Sequence, residues 1–163
     1  MTPDRPRTRV VLDCMLFLQG AARPEGLAGA CFALLEMELV ELCLSEDVVA
    51  EVRDVLSRLE VRRKFRSLAD HLVEAFVETV RSRAFWIPAP PHRFTFNRDP
   101  KDEPYIDLAI AAQAEFLVSR DNDILDLAKP DDADGMRLRA VAPNLRIVGP
   151  SEFIREIRAR YAE

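Results

Sequence analysis

The chain has 163 residues, of which 48% are hydrophobic and 31% are charged, a balance typical of one globular domain with a buried core. Its formal net charge of -5 argues against a surface that binds nucleic acid without specificity. No apolar run is long enough to span a bilayer, and the N-terminus lacks the apolar stretch of a secretory signal. We therefore expect one domain over residues 1–163, with a flexible N-terminus at residues 1–8, in a cytoplasmic protein.

The first half of the chain predicts strands that alternate with helices. Residues 9–12 are a short β-branched run that is typical of a buried strand, and we expect it to be the central strand of a parallel sheet. Residues 27–38 are predicted to form a helix, and Val40–Leu44 a second strand. Asp13 follows the first strand directly, where an unpaired carboxylate would lose hydration at a cost.

A second helix is expected to begin at Glu46, because Ser45 is a good N-cap and acidic residues follow in the first turn. Apolar residues then recur every three or four positions, as on the buried face of an amphipathic helix. Glu51 shares the edge of that face. It is therefore either a boundary residue whose carboxylate reaches water or part of a site.

The middle of the chain predicts a helix over residues 67–83, a proline-rich connection over 85–91, and a turn at 99–104. We expect Asp102 to cap the helix that follows this turn. That helix is small and apolar on nearly every side, with Asp107 as the exception. This composition predicts close packing of the helix on the sheet.

The last third of the chain begins with a predicted strand over residues 115–119, and Asp121 and Asp123 lie at its exit. Residues 131–135 have turn composition and predict an exposed loop. A final strand is expected over residues 145–148, and a C-terminal helix capped by Ser151.

This alternation predicts a three-layer α/β/α fold with a mostly parallel central sheet. In such sheets ligands collect beyond the carboxyl ends of the strands, where the strand order reverses. Asp13, Glu51, Asp102 and Asp121 can all meet at that edge. Oxygen ligands without His or Cys favour hard cations, so the sequence predicts a site for Mg²⁺ or Mn²⁺.

Six segments resemble the PIN-domain ribonucleases, and in particular the branch of toxin components of toxin/antitoxin systems. They span nearly the whole chain, from Val10 to about Ile157, and their order and separations match the family. The segments are VVLD at 10–13, LSEDVVAE at 44–51, RDPKD at 98–102, LAIAA at 108–112, FLVSRD at 116–121 and RIVGPSEF at 146–153.

The resemblance implies catalytic and metal-binding roles for four acids, Asp13, Glu51, Asp102 and Asp121. It also implies that Asp123 is an auxiliary metal ligand and that Ser119 supplies a small hydroxyl beside the site. Asp99 and Asp107 are further supporting candidates, with Asp107 as a competitor to Asp102.

Two positions depart from the family pattern. Met15 and Glu103 stand where the family usually has Asn. Loss of hydrogen bonds around a metal typically costs about 10- to 100-fold in metal affinity or activity. The resemblance therefore leaves two functions open, a working nuclease and a catalytically weakened PIN-fold binding or scaffold protein.

The function implied by the resemblance is hydrolysis of RNA phosphodiester bonds with Mg²⁺ or Mn²⁺ as cofactor. It also implies an antitoxin protein and a second copy of the chain as partners, with no membrane. Basic residues in segment 58–66 are available for phosphates in spite of the net charge. A receiver-like phosphoacceptor domain is disfavoured, because Lys129 precedes Pro130 in a predicted loop.

Overall fold

The computed structural model describes residues 7–66 and 68–162, except for the side chains of Asp70 and His71. Most of the segment predicted to be a flexible N-terminus, residues 1–6, lies outside this range. Thr8, the last residue of that segment, is buried and belongs to the first strand. Ser67, where the third helix was expected to begin, also lies outside the described residues.

Within the described residues, a parallel sheet is flanked by helices. The strands are β1 (Thr8–Leu12), β2 (Val40–Leu44), β3 (Phe85–Trp86), β4 (Phe116–Val118) and β5 (Arg146–Val148). The α-helices are α1 (Cys14–Ala22), α2 (Leu27–Glu36), α3 (Glu46–Ser57), α4 (Leu59–Lys64), α5 (Asp70–Ser82), α6 (Glu103–Ala111), α7 (Asn122–Leu125), α8 (Ala133–Val141) and α9 (Pro150–Tyr161). In this part of the chain no helix has the length and apolar character that crossing a bilayer requires.

The sheet has the strand order β3-β2-β1-β4-β5, and all its neighbouring strands are parallel. The predicted central position of β1 is therefore confirmed. Val10 of β1 lies opposite Leu42 on one side and Phe116 on the other. The chain leaves β1 toward β2 and later returns to β4 on the opposite side, so the strand order reverses between β1 and β4. This is where a ligand site is expected in an open α/β sheet.

Helices cover the sheet, which confirms the predicted three-layer α/β/α class. Helix α6 packs on β1, β2 and β4, and its Ile106, Leu108 and Ala109 are at most 1% exposed. Helices α2 and α9 pack against each other and against β2 and β4, respectively. Phe153 of α9 meets Phe116 of β4 edge to face, with ring centroids 5.4 Å apart. Burial of these apolar groups is the main force that holds the layers together.

Two helices differ from the sequence predictions. Helix α1 was not predicted, because its residues are apolar on nearly every side and give no amphipathic period. Residues 131–135 were predicted to be an exposed loop, which is wrong from Ala133 onward, because α8 begins there. Asp132 instead caps α8, with its carboxylate accepting a 2.8 Å hydrogen bond from the Gly135 amide.

Two predicted caps are also different. Helix α9 begins at Pro150 after Gly149, so Ser151 lies inside the first turn and does not cap the helix. Asp102 occupies the N-cap position of α6, but its side chain accepts no capping hydrogen bond from that helix. The carboxylate of Asp102 is thus left available to another partner.

Candidate metal centre

Asp13 and Asp121 lie at the exits of the two strands between which the strand order reverses. Asp13 is 4% exposed and begins α1, where its Oδ1 accepts a 3.1 Å hydrogen bond from the Leu16 amide. The Ser119 hydroxyl donates a hydrogen bond to Oδ2 of Asp13, and it accepts one of 2.9 Å from the Asp121 amide. Ser119 therefore ties the two acids together from the end of β4.

Burial raises the pKa of Asp13, and the negative charge of Asp121 adds to the rise. Hydrogen bonds from Ser119 and from the Leu16 amide act in the opposite direction, because they favour the ionised carboxylate. These hydrogen bonds hold Asp13 in one orientation. A cation would offset much of the remaining free-energy cost of burying its charge.

Asp102 is the most perturbed acid of the site. Burial raises its pKa to about 8, with further contributions from the negative charges of Asp99, Asp121 and Asp13. One of its oxygens, Oδ2, is buried and has no hydrogen-bond partner among the described residues. A buried carboxylate oxygen without a partner normally requires a proton or a cation nearby.

Three of the acids bring their oxygens close together. Carboxylate oxygens of Asp99, Asp121 and Asp123 all lie within 4.8 Å of one another, and the three residues are half-buried. Backbone amides orient two of them, since Asp121 accepts from Asp123 N–H at 2.9 Å and Asp99 accepts from Lys101 N–H at 3.2 Å.

This donor set fits a divalent cation. All of its ligand atoms are carboxylate oxygens, which suit Mg²⁺ or Mn²⁺, and the unpartnered oxygen of Asp102 lies beside the same group. We call Asp13, Asp99, Asp102, Asp121 and Asp123 the acidic cluster.

Glu51 lies at the border of the acidic cluster. Burial against α6 raises its pKa, while the cations Arg58 and Lys101 oppose the rise, and Asp99 is a further charged neighbour. The buried hydroxyl of Tyr105, on α6, lies beside both Glu51 and Cys14 and has no well-formed hydrogen bond among the described residues. Glu51 is therefore close to Asp99 but is not one of the three acids that meet most tightly.

Asp107 does not join the acidic cluster. It is 6% exposed, and its Oδ1 accepts hydrogen bonds of 2.9 Å from the amides of Arg93 and Phe94. His92 Nδ1 lies 2.7 Å from its Oδ2. These partners occupy both oxygens, so the structure gives Asp107 a structural role and leaves Asp102 as the acid of this helix end that faces the cluster.

The two positions that depart from the family pattern have different surroundings. Met15 is 48% exposed in the first turn of α1, next to Asp13. Glu103 accepts a 2.7 Å hydrogen bond from the Phe96 amide and so anchors the segment that leads into the cluster. Glu103 therefore has a structural function of its own, whereas the exposed Met15 side chain adds no polar group to the site.

Sequence reasoning gave Asp99 too little weight and missed Tyr105. Asp99 was a supporting candidate because its turn composition, Asp-Pro-Lys-Asp, has an ordinary structural explanation. Tyr105 follows Asp102 by three residues in a helix, a spacing that places the two side chains on one face. That spacing was the available signal for Tyr105.

Comparison with protein families identifies the class to which this fold and site belong. A model of the PIN domain matches residues 9–123, well over half of the chain, and the protein belongs to the PIN-domain family. PIN domains are generally nucleases that use divalent metal ions. The match ends at Asp123, so the resemblance noted at residues 146–153 lies beyond it. Comparisons with curated proteins and with solved structures gave no match.

Proposed function

We propose that this protein is a Mg²⁺- or Mn²⁺-dependent ribonuclease that hydrolyses phosphodiester bonds at the acidic cluster. The observation that carries the proposal is the meeting of the Asp99, Asp121 and Asp123 carboxylates, with Asp13 and Asp102 as their charged neighbours, where the strand order reverses in a PIN fold. Such a concentration of negative charge is costly without a cation. Among the described residues, ion pairs do not explain it, since these acids interact with amides, a hydroxyl and one another.

Each acid has a specific part in this proposal. Asp13, Asp102 and Asp121 would hold the principal cation, with Asp99 and Asp123 as further ligands and Glu51 at the border. When bound, a divalent cation supplies Lewis acidity toward the phosphodiester and its attacking water. The chain contributes position, because the Leu16 amide and the Ser119 hydroxyl fix the carboxylate of Asp13.

The charge of the acidic cluster makes the activity dependent on the cation. Five carboxylates without a counterion repel a phosphodiester, so the bond to be cleaved is expected to enter the acidic cluster only after the negative charge has been offset. Activity should therefore vanish in chelator and return with Mg²⁺ or Mn²⁺.

The preference for RNA and the biological setting rest on the resemblance to toxin components of toxin/antitoxin systems. Under this proposal, an antitoxin silences the enzyme by inserting a segment with a basic side chain into the acidic cluster, and the enzyme forms homodimers. Induced expression of the chain should slow cell growth, whereas expression of Asp121→Asn should not. Equal growth in both cultures would contradict the toxin assignment and leave the nuclease assignment intact.

A second candidate is a PIN-fold binding or scaffold protein with weakened catalysis. The exposed Met15 beside Asp13 favours it, because this position offers no hydrogen bond to the site. The presence of Asp13, Glu51, Asp102 and Asp121 argues against this second candidate. The two candidates differ in whether the protein binds Mn²⁺ and turns over RNA.

The decisive experiment is incubation of the purified protein with end-labelled RNA and single-stranded DNA of the same sequence. Mn²⁺ is added in one series and EDTA in the other, beside an Asp13→Asn, Asp121→Asn double variant. We expect cleavage of RNA by the native protein with Mn²⁺ alone. Equal degradation by the double variant would assign the activity to a contaminant and overturn the proposal.

A further inference from the structure

A cationic cavity of about 340 Å³ lies apart from the acidic cluster, between the α1–α2 connection and the end of α4. Its lining includes Arg23, Lys64 and Arg120, together with Gln19 and Phe65. The three cations come from separate parts of the chain, so the fold brings them together. Lys64 belongs to the basic segment whose availability for phosphates was expected from the sequence.

These three cations have no carboxylate partners in the part of the chain that the structure describes. Within residues 7–66 and 68–162, none of Arg23, Lys64 and Arg120 forms an ion pair, and Arg23 and Arg120 are exposed. Cations that share a cavity without counter-charges repel one another, and an anionic ligand removes that repulsion. The charge of the cavity therefore favours an anion.

A larger cavity has a different electrostatic character. It measures about 640 Å³ and lies at the opposite edge of the sheet, where the strands begin. There Arg9 pairs with Glu41, and Arg160 pairs with Glu115 and Glu156. Because those cations are already neutralised, size alone does not make that cavity an anion site.

The remaining lining groups suit a nucleotide better than a simple anion. Phe65 presents an aromatic ring, with the Arg23 guanidinium 5.9 Å and the Lys64 ammonium 5.6 Å from its centroid. The Oε1 atom of Gln19 is buried and has no hydrogen-bond partner among the described residues. Phosphate oxygens match the cations, a base matches the ring, and a ribose or base donor matches the Gln19 amide.

Two chain connections place this cavity beside the acidic cluster. Arg120 immediately precedes Asp121 at the exit of β4. Gln19 lies on α1, whose N-cap is Asp13, and the six residues between these positions correspond to about 9 Å along the helix axis. A strand held in the cavity therefore passes close to the acids.

We propose that this cavity binds a nucleotide of a single-stranded nucleic acid, adjacent to the phosphodiester at the acidic cluster. The proposal deepens the proposed nuclease function and rests on it for the identity of the cleaved bond. Binding itself does not require cleavage. The cationic cavity attracts phosphates, which the acidic cluster by itself repels. Because the positive cavity and the negative cluster are separate, together they orient the bound strand.

The test is fluorescence anisotropy with labelled single-stranded RNA in EDTA, where hydrolysis cannot occur. We expect Arg23→Gln, Lys64→Gln to weaken binding about tenfold or more and to make the salt dependence shallower by a slope of ~1.4, as two lost phosphate contacts require. The matched control is Arg155→Gln, Arg158→Gln, which removes the same charge from exposed, unpaired positions of α9. This control should bind as the native protein does.

The outcomes separate this proposal from the proposed function. Native binding by the cavity variant, or equal weakening in the α9 control, would overturn the nucleotide site whatever the nuclease assay shows. A polyglutamate peptide that binds through Arg23 and Lys64 while RNA does not would reassign the cavity to a protein partner and overturn the proposal too. Normal RNA binding without cleavage would contradict the nuclease function alone.

Discussion

At the scale of single residues, two buried acids of the candidate metal centre differ in their hydrogen-bond partners. Asp13 is nearly inaccessible, but hydrogen bonds from the Leu16 amide and the Ser119 hydroxyl stabilise its ionised form. Asp102 has an oxygen with no partner among the described residues, and its pKa is raised to about 8 by burial and by neighbouring acids. In the absence of a cation, Asp102 therefore contributes most of the electrostatic destabilisation within the acidic cluster.

Replacing Asp102 tests whether the burial of its carboxyl group destabilises the folded protein. We expect Asp102→Asn to raise the free energy of unfolding by about 1–2 kcal/mol in EDTA at neutral pH, because a carboxyl with a raised pKa must take up a proton to be buried and the neutral amide avoids that cost, which solvent partly reduces. For a chain of this size, the melting temperature should rise by ~2–8 °C. The control is Asp54→Asn, which removes an exposed acid paired with Arg58 and should give no rise. An unchanged or lower melting temperature for Asp102→Asn would contradict the electrostatic account.

A second residue-level prediction concerns Met15, which lies beside Asp13 and is 48% exposed. Met15→Asn restores a polar side chain next to the acidic cluster, and we expect about 10- to 100-fold tighter Mn²⁺ binding or faster RNA cleavage. Isothermal titration with Mn²⁺ measures the first effect. Met37→Asn is the matched control, because Met37 is also an exposed methionine but lies at the end of α2. Equal effects of the two substitutions would show that Met15 has no specific influence on the acidic cluster.

At the scale of elements, α6 holds the segment that carries Asp99. Asp107 accepts hydrogen bonds from the amides of Arg93 and Phe94, and Glu103 accepts one from the Phe96 amide. Phe94 and Phe96 are at most 2% exposed, so their burial and these hydrogen bonds act together. Asp107, a candidate site residue in the sequence, and Glu103 thus position the segment that leads to the site.

The contact between His92 and Asp107 predicts a pH dependence of stability. The Asp107 hydrogen bond and charge raise the pKa of His92 above its ordinary value of 6.5. A raised histidine pKa means that the stabilisation is complete below pH 6.5 and is lost as the pH rises through the higher folded-state value. The melting temperature of His92→Gln should therefore fall below that of the native protein at pH 6, and the two should converge at pH 9. A difference that does not change with pH would show that the histidine acts only through packing.

At the scale of the whole molecule, the site is a product of the sheet topology. The chain runs from β1 to one side of the sheet and returns through β4 on the other, so the exits of these two strands lie next to each other. Asp13 follows one strand and Asp121 the other, although 108 positions of sequence numbering separate them. Unfolding disperses the carboxylates, so a cation that requires several of them binds the folded protein alone.

Metal binding should therefore stabilise the fold. At a Mn²⁺ concentration of about 100 times the dissociation constant, the expected gain is ~2.7 kcal/mol, which corresponds to a rise in melting temperature of roughly 5–11 °C. Asp121→Asn should lose most of this rise. Asp107→Asn should keep it, because Asp107 lies outside the acidic cluster even though its substitution lowers the starting stability. Loss of the rise in both variants would indicate that the metal effect depends on general stability and not on the cluster.

The elements that could be predicted from the sequence are those with strong local signals. Val40–Leu44 and the start of α3 at Glu46 agree with the structure, because a short, mostly apolar run and a serine cap act locally. Helix α1 was missed because a segment that is buried on nearly every side carries no periodic pattern. Helix α8 was missed because its acidic start has the composition of a turn, and only packing and the Asp132 cap show that it continues as a helix.

The sequence by itself determined the fold class, the central place of β1 and a set of candidate metal ligands, because apolar periodicity and the cost of a carboxylate in an apolar run depend on near neighbours in the chain. Only the tertiary structure decided which of those acids meet. It turned Asp107 toward the amides of the 92–94 segment and brought Asp99 to Asp121 and Asp123. It also gathered Arg23, Lys64 and Arg120 around one cavity. Such contacts join residues far apart in the chain, and the direction of a side chain across a packed interface is set by the partners that folding brings to it.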